Sequence, residues 1–262
     1  MLRKTAVAAS LLVLAAALLV WFLPARLALP WITPPHGLRL QQVHGLLWDG
    51  TADVSTAGGQ ALGQAHWQVD RSALWGKQRL KLDFAGPKLA FSGQMQKLPE
   101  GQIEWRTVRA RVDLALLDAY TALPIGQPRG ELRLASDRLL LQAGWPLQMQ
   151  ATAEWRGASM HGAKGDIPIG SIQLAAEATN GVVAAQLHDD GRGPLEAVGA
   201  LQFSPLGWRL DATLRSRQTD PALSRWLAGL GLGRPDASGT IHLQRSGGLA
   251  IGLPAAPLPR TP

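Results

Sequence analysis

The spacing of apolar and polar positions changes character along this chain, and each regime predicts a different element. From Thr5 to Leu23, TAVAASLLVLAAALLVWFL, the run is apolar and uncharged, with Arg3 and Lys4 before it and Pro24 after it. A helix of that length rises roughly 28 Å, close to the ~30 Å hydrocarbon core of a bilayer, which predicts one span. Val7, Leu11, Leu14, Leu18, Trp21 and Phe22 are its anchoring side chains. Pro24, Pro30, Pro34 and Pro35 then interrupt any regular element, so residues 25–37 read as a Pro-rich linker lifting the body off the membrane.

From Leu38 the period becomes two. Trp67 and Val69 alternate with Gln68 and Asp70, and Leu80, Leu82 and Phe84 alternate with Lys81 and Asp83, the signature of strands with one face in a core. Strands are predicted at 63–70, 76–84, 87–95, 102–112, 168–178 and 195–215, punctuated by Gly86-Pro87, Pro99-Glu100-Gly101 and Gly126-Gln127-Pro128. Two short helices are expected, LALLDAY capped by Asp113 and ALSRWLAGL entered through Asp220-Pro221. Four prolines without periodicity mark 251–262 as a disordered tail.

The basic residues before the apolar run predict a cytoplasmic tip and signal anchor over 1–24, with the rest of the chain exported. A cleavable signal peptide competes with this. The run exceeds the usual ~7–15 apolar residues, and Pro24-Ala25-Arg26-Leu27-Ala28 offers no small-x-small exit.

The body repeats itself. Leu47-Trp48-Asp49-Gly50-Thr51-Ala52 resembles Glu154-Trp155-Arg156-Gly157-Ala158-Ser159, Gly63 matches Gly170, and Gly86 matches Gly193, all at an offset of 107 residues. Trp105-Arg106 and Trp208-Arg209 follow at 103, and Gly130-Glu131-Leu132 and Gly239-Thr240-Ile241 at 109. Chance recurrence in a composition rich in Gly, Trp and Leu explains one match less awkwardly than three sharing an offset. Residues 38–142 and 147–250 are therefore read as two β-rich repeats, with Trp48, Gly50, Gly63, Gly86, Trp155, Gly157, Gly170 and Gly193 as landmarks. Equivalent tryptophans are expected in equivalent places, each followed by a glycine that marks a bulge or close backbone approach. The fold class is mainly β: a transmembrane helix, then a duplicated antiparallel sheet body, a curved sheet or groove with two short helices.

Composition narrows the chemistry. The 29 glycines and 18 prolines suit a turn-rich body, and the absence of cysteine excludes disulfides, thiolate zinc sites and cysteine nucleophiles. The net charge of +7 is spread singly, as on a solvated surface, and does not indicate nucleic acid. No two of the six histidines stand at i, i+4. His188-Asp189-Asp190-Gly191 reads first as a hairpin turn, Ser159 misses the G-x-S-x-G spacing, and Gly229-Leu230-Gly231-Leu232-Gly233 reads as a helix exit rather than a dinucleotide loop. The sequence offers no catalytic constellation, cofactor site or metal site.

One resemblance gathers these features. The N-terminal span, the Pro-containing linker, Val43-His44-Gly45-Leu46-Leu47-Trp48-Asp49-Gly50-Thr51-Ala52, Trp67-Gln68-Val69 leading to Leu74-Trp75, and the Gly130-Glu131-Leu132, Trp145 and Trp155 segments resemble the type II secretion system protein N family, of the general secretion pathway. The resemblance implies a non-enzymatic, single-pass inner-membrane protein with its bulk in the periplasm, taking part in export of folded proteins across the outer membrane. Its partners would be other inner-membrane components of the secretion platform and the outer-membrane secretin. A weaker likeness to AsmA-type β grooves implies the alternative, a periplasmic protein that binds or transfers lipid.

Overall fold

The computed structural model describes residues 22–28, 37–119, 126–162, 165–217, 220–229 and 235–248. The expected span with Val7, Leu11, Leu14, Leu18 and Trp21 lies outside these residues, as do 29–36 of the linker and the tail 251–262. Among the described residues no helix is long and apolar enough to cross a membrane. The chain divides into two compact units, Met1–Lys97 and Leu98–Pro262. Their border falls inside the first expected repeat, 38–142. The expected join between repeats, Ala143 to Pro146, lies at a hairpin within the second unit.

The first unit is a five-stranded antiparallel meander: β1 (Leu38–Gly45), β2 (Asp49–Thr56), β3 (Ala61–Val69), β4 (Arg79–Ala85) and β5 (Leu89–Lys97). Residues directly opposite in an antiparallel pair share a face. The row Ala52, Ala65, Phe84, Phe91 is therefore apolar, and the row Thr51, His66, Asp83, Ser92 is polar. A one-turn helix, α1 (Ala25–Ala28), precedes the sheet, and its Ala25 is buried.

The second unit is an eight-stranded meander: β6 (Gln102–Asp113), β7 (Gln127–Gln142), β8 (Trp145–Gly162), β9 (Gly165–Thr179), β10 (Val182–Asp189), β11 (Leu195–Ser204), β12 (Gly207–Ser216) and β13 (Ile241–Gly248). The predicted strand at 195–215 is thus a hairpin, β11 and β12. Ser204 closes its tip by donating to the Gly207 carbonyl, and Phe203 faces Trp208 across it. The long β7 and β8 were not drawn from periodicity because bulges between Ser136 and Arg138 and between Trp155 and Ala158 break their alternation.

Both expected caps form. Asp220 accepts from the Ala222 and Leu223 amides at the start of helix α2 (Pro221–Gly229). Asp113 accepts from Ala115, but the described segment it opens, Leu114–Ala119, is a 3₁₀ turn. Leu223 and Leu227 of α2 pack with Ala158, Met160, Ile169, Leu195, Ala197 and Ile241 into the core of this unit.

Candidate functional site

In the first unit the segments that carry the family resemblance converge. Leu46 and Asp49 exchange backbone hydrogen bonds of 2.8 and 3.2 Å, leaving Leu47-Trp48 as a two-residue loop between β1 and β2. Trp67 of β3 donates its indole N–H to the Leu47 carbonyl at 3.1 Å. Its ring lies so close over Gly50 that a Cβ there would meet Cζ2 at 2.5 Å. Trp48 is buried, and its carbonyl accepts from the Val69 amide at 2.7 Å. The incoming chain docks on the same loop: the Leu47 amide donates to the Leu23 carbonyl at 2.9 Å, and Pro24 forms a β-bridge with Leu46.

The β3–β4 connection stands beside it. Asp70 accepts from the Ser72 amide at 2.8 Å and opens a 3₁₀ turn, Arg71–Trp75, which Gly76 ends at φ +83°. The Ser72 amide and hydroxyl hold the Asp70 carboxyl below its usual range. The turn lifts Leu74 and Trp75 out of the sheet, to 48% and 74% exposure. In the sequence these two stand only as a mark of the family resemblance. The readable signal was two large apolar residues in succession, off the strand period, between an Asp cap and a glycine.

The second unit separates its chemistry by face. One row runs from Ala110 through Leu134, Ala153, Leu174 and Leu187 to Leu243 on β13. The adjacent row, on the other face, runs from Arg111 through Arg133, Glu154, Gln173 and His188 to His242. Helix α2 covers part of the apolar face, while Leu134, Phe203 and Trp208 remain exposed on it. Trp145 stacks on Phe203 with ring centroids 5.2 Å apart and donates to the Gly181 carbonyl.

Ion pairs hold the buried carboxylates of this unit. Glu104, its side chain 3% exposed, receives Arg138 Nε at 2.6 Å and Arg106 Nη2 at 2.8 Å. Burial pushes its carboxyl up, but the two arginines more than reverse that and hold it below the usual carboxylate range. Burial likewise raises Asp189, and Arg217 with the Ala197 and Gly191 amides overcomes it. A cavity of about 770 Å³ crosses this unit from Arg109 on β6 to Asp211 on β12, lined by Thr152, Gln186 and Gln202 with alanines between. A second, of about 450 Å³, is lined by Glu154, Gln173, His188, Asp189, Asp190 and Arg192.

The landmarks fall in two kinds of place. Gly63 and Gly86 come together at the end of the β3–β4 ladder, where a Cβ on Gly63 would lie 2.6 Å from the Gly86 Cα. Gly170 and Gly193 come together beyond the β9–β10 ladder in the same way, at 2.7 Å from the Cβ position on Gly170 to the Gly193 Cα. Trp48 lies in a loop, whereas Trp155 lies within β8 and donates to the Arg129 carbonyl at 2.8 Å. Gly50 sits under a ring, and Gly157 sits in a bulge at φ +56° with open space beside it.

His188 bonds the Gln173 amide oxygen at 3.1 Å, and Asp190 accepts from Arg192 and Gly193 in a turn. Ser159 is paired across the sheet with Arg129 and Pro168. Among the described residues no three His, Cys, Asp or Glu side chains are grouped to hold a metal ion.

With this geometry in place, comparison with known proteins adds a relation by descent. The family described as "Type II secretion system (T2SS), protein N" matches residues 36–244. A type II secretion system protein N of Aeromonas hydrophila is 26% identical over 260 residues, covering 94% of this chain and 99% of its own. One of Vibrio cholerae serotype O1 is 29% identical over 160 residues, covering 58% of this chain and 60% of its own. No solved structure matches.

Proposed function

This chain belongs to the type II secretion system protein N family, and from that premise we propose that it is a non-enzymatic, inner-membrane-anchored periplasmic component of the secretion machinery. Its role is to dock other components during export of folded proteins across the outer membrane. The observation that carries this reading is the family match, which spans nearly the whole β body. Three further features support it. The apolar run Thr5–Leu23 suits a single span, its last residue is hydrogen-bonded to the β1–β2 loop, and the β body presents faces and edges rather than a reactive cleft. We also read 38–142 and 147–250 as tandem copies, on the support of the two glycine pairs in close contact.

The test replaces residues 2–24 with a cleaved signal in a secreting host. The expected outcome is loss of co-purification with the inner-membrane platform and accumulation of exported proteins in the periplasm. Normal assembly and secretion by the soluble form would remove the anchored docking role.

A second reading, lipid binding by the second unit, is favoured by one observation: its apolar face keeps Leu134, Phe203 and Trp208 exposed beyond the reach of α2. Native mass spectrometry of the purified full chain would show co-purified phospholipid if this holds, and bare protein after delipidation and re-exposure to lipid if it does not.

A further inference from the structure

Every large hydrophobic side chain that is exposed among the described residues of the first unit lies at one end of it. These are Phe22 at 60%, Leu27 at 58%, Leu74 at 48% and Trp75 at 74%. The topology places them together. In an antiparallel meander the β1–β2 loop and the β3–β4 connection sit at the same end, and here they are joined directly by the Val69 to Trp48 and Trp67 to Leu47 hydrogen bonds. Leu23 and Pro24 dock on that loop, so Phe22 and Leu27 belong to the same end. The opposite end, with the β2–β3 and β4–β5 turns, shows glycines, Gln60 and Lys88 instead.

Basic side chains outnumber acidic ones at this end. Arg26, Lys77, Arg79 and Lys97 are exposed around the apolar tip. Of the acids here, Asp49 is paired with His66 at 3.0 Å and Asp70 is occupied by its cap bond to Ser72. An exposed tryptophan with a neighbouring leucine, ringed by long basic side chains, matches a lipid headgroup layer. The indole ring is amphipathic, and lysine and arginine stems lie along apolar surface while their charges meet anionic headgroups. A protein groove receiving the same tip would have to supply acidic residues on every side of it. A bilayer supplies them as a plane, and the uninterrupted apolar run Thr5–Leu23 leaves from this end.

We propose that this end of the first unit rests on the membrane surface, with Leu74 and Trp75 inserted into the interfacial layer and Arg26, Lys77 and Arg79 against anionic lipid headgroups. The proposal rests on the anchored reading above, which brings the bilayer to this end. It adds a second, independent contact between the β body and the lipid.

The absence of cysteine makes single-cysteine labelling of the full chain direct. Leu74→Cys, Gly58→Cys at the opposite end and Leu14→Cys in the apolar run are each labelled with an environment-sensitive fluorophore. The proteins are reconstituted in vesicles containing phosphatidylglycerol and quenched either by brominated acyl chains or by aqueous cobalt. The expected result is a probe at 74 quenched by the brominated lipid and several-fold less open to cobalt than the probe at 58. Adding Lys77→Glu and Arg79→Glu should move position 74 towards the behaviour of 58. A probe at 74 as open to cobalt as that at 58 overturns the proposal. The probe at 14 then separates the causes: quenched by lipid, it leaves the anchored reading standing; open to cobalt, it removes both. A probe at 74 shielded from both quenchers also overturns the proposal, since it means that another copy of the chain covers the tip.

Discussion

Glu104 shows how arginines let a carboxylate be buried in a β protein. Taking it from water is unfavourable, and it stays ionised because two arginines, at 2.6 and 2.8 Å, complete its hydrogen bonding. Its folded-state pKa is depressed, so its contribution to stability is complete above the unfolded carboxylate value of about 4.3 and is lost as pH falls through the folded value. Glu104→Gln should cost about 1–3 kcal/mol at neutral pH and flatten the acid limb of the stability profile below about pH 4.5, measured by urea denaturation across pH. An unchanged acid limb would show that other carboxylates govern it. The sequence did not single out this residue, because Glu104 stands between Ile103 and Trp105 in ordinary alternation. Only the register with β7, which sets Glu104 opposite Leu140 and Arg106 opposite Arg138, brings Arg138 to it.

At the level of elements, α2 closes one end of the second unit's apolar face through Leu223 and Leu227, both essentially buried. Leu223→Ala should destabilise the protein by about 2–5 kcal/mol, and Asp220→Ala, which removes the carboxylate that accepts from two amides, by about 1 kcal/mol. Calorimetry on both variants checks the ratio as well as the sign. This helix was readable in advance because Asp220-Pro221 supplies cap and first turn together. The segment after Asp113 carried the same cap signal, but there Asp118 forms an ion pair with Arg129 of β7 and the described segment winds as a 3₁₀ turn. Strands with unbroken alternation, such as Leu80, Leu82 and Phe84, were legible. The β11–β12 hairpin was not, because the two arms are separated only by Pro205-Leu206 and the side-chain phase shifts by a single residue across it, from odd to even positions. The exposed Leu74-Trp75 tip was visible as residues and not as a surface, since its exposure depends on how Trp67 and the β1–β2 loop fill the space beside it.

Across the whole molecule, the spacing of 107 residues links two structural facts that neither unit reveals alone. Gly63 with Gly86, and Gly170 with Gly193, are the places where neighbouring strands approach too closely for any side chain. Alanine at Gly170 should therefore destabilise the chain as alanine at Gly63 does, each by roughly 1–3 kcal/mol from overpacking against backbone. Denaturation of the two variants side by side checks the match, and a neutral result at one site alone would count against tandem copies. The sequence supplied the spacing of these glycines. Their contact became visible only with the strand register.

The bond between the Leu47 amide and the Leu23 carbonyl has a mechanical meaning. A force applied to the β body does not have to travel through residues 25–37 to reach the chain that precedes them. It passes across the Pro24–Leu46 bridge in one step, in shear, as between two paired strands. Only when that bridge gives way does the load pass to the covalent path from Pro24 to Leu38.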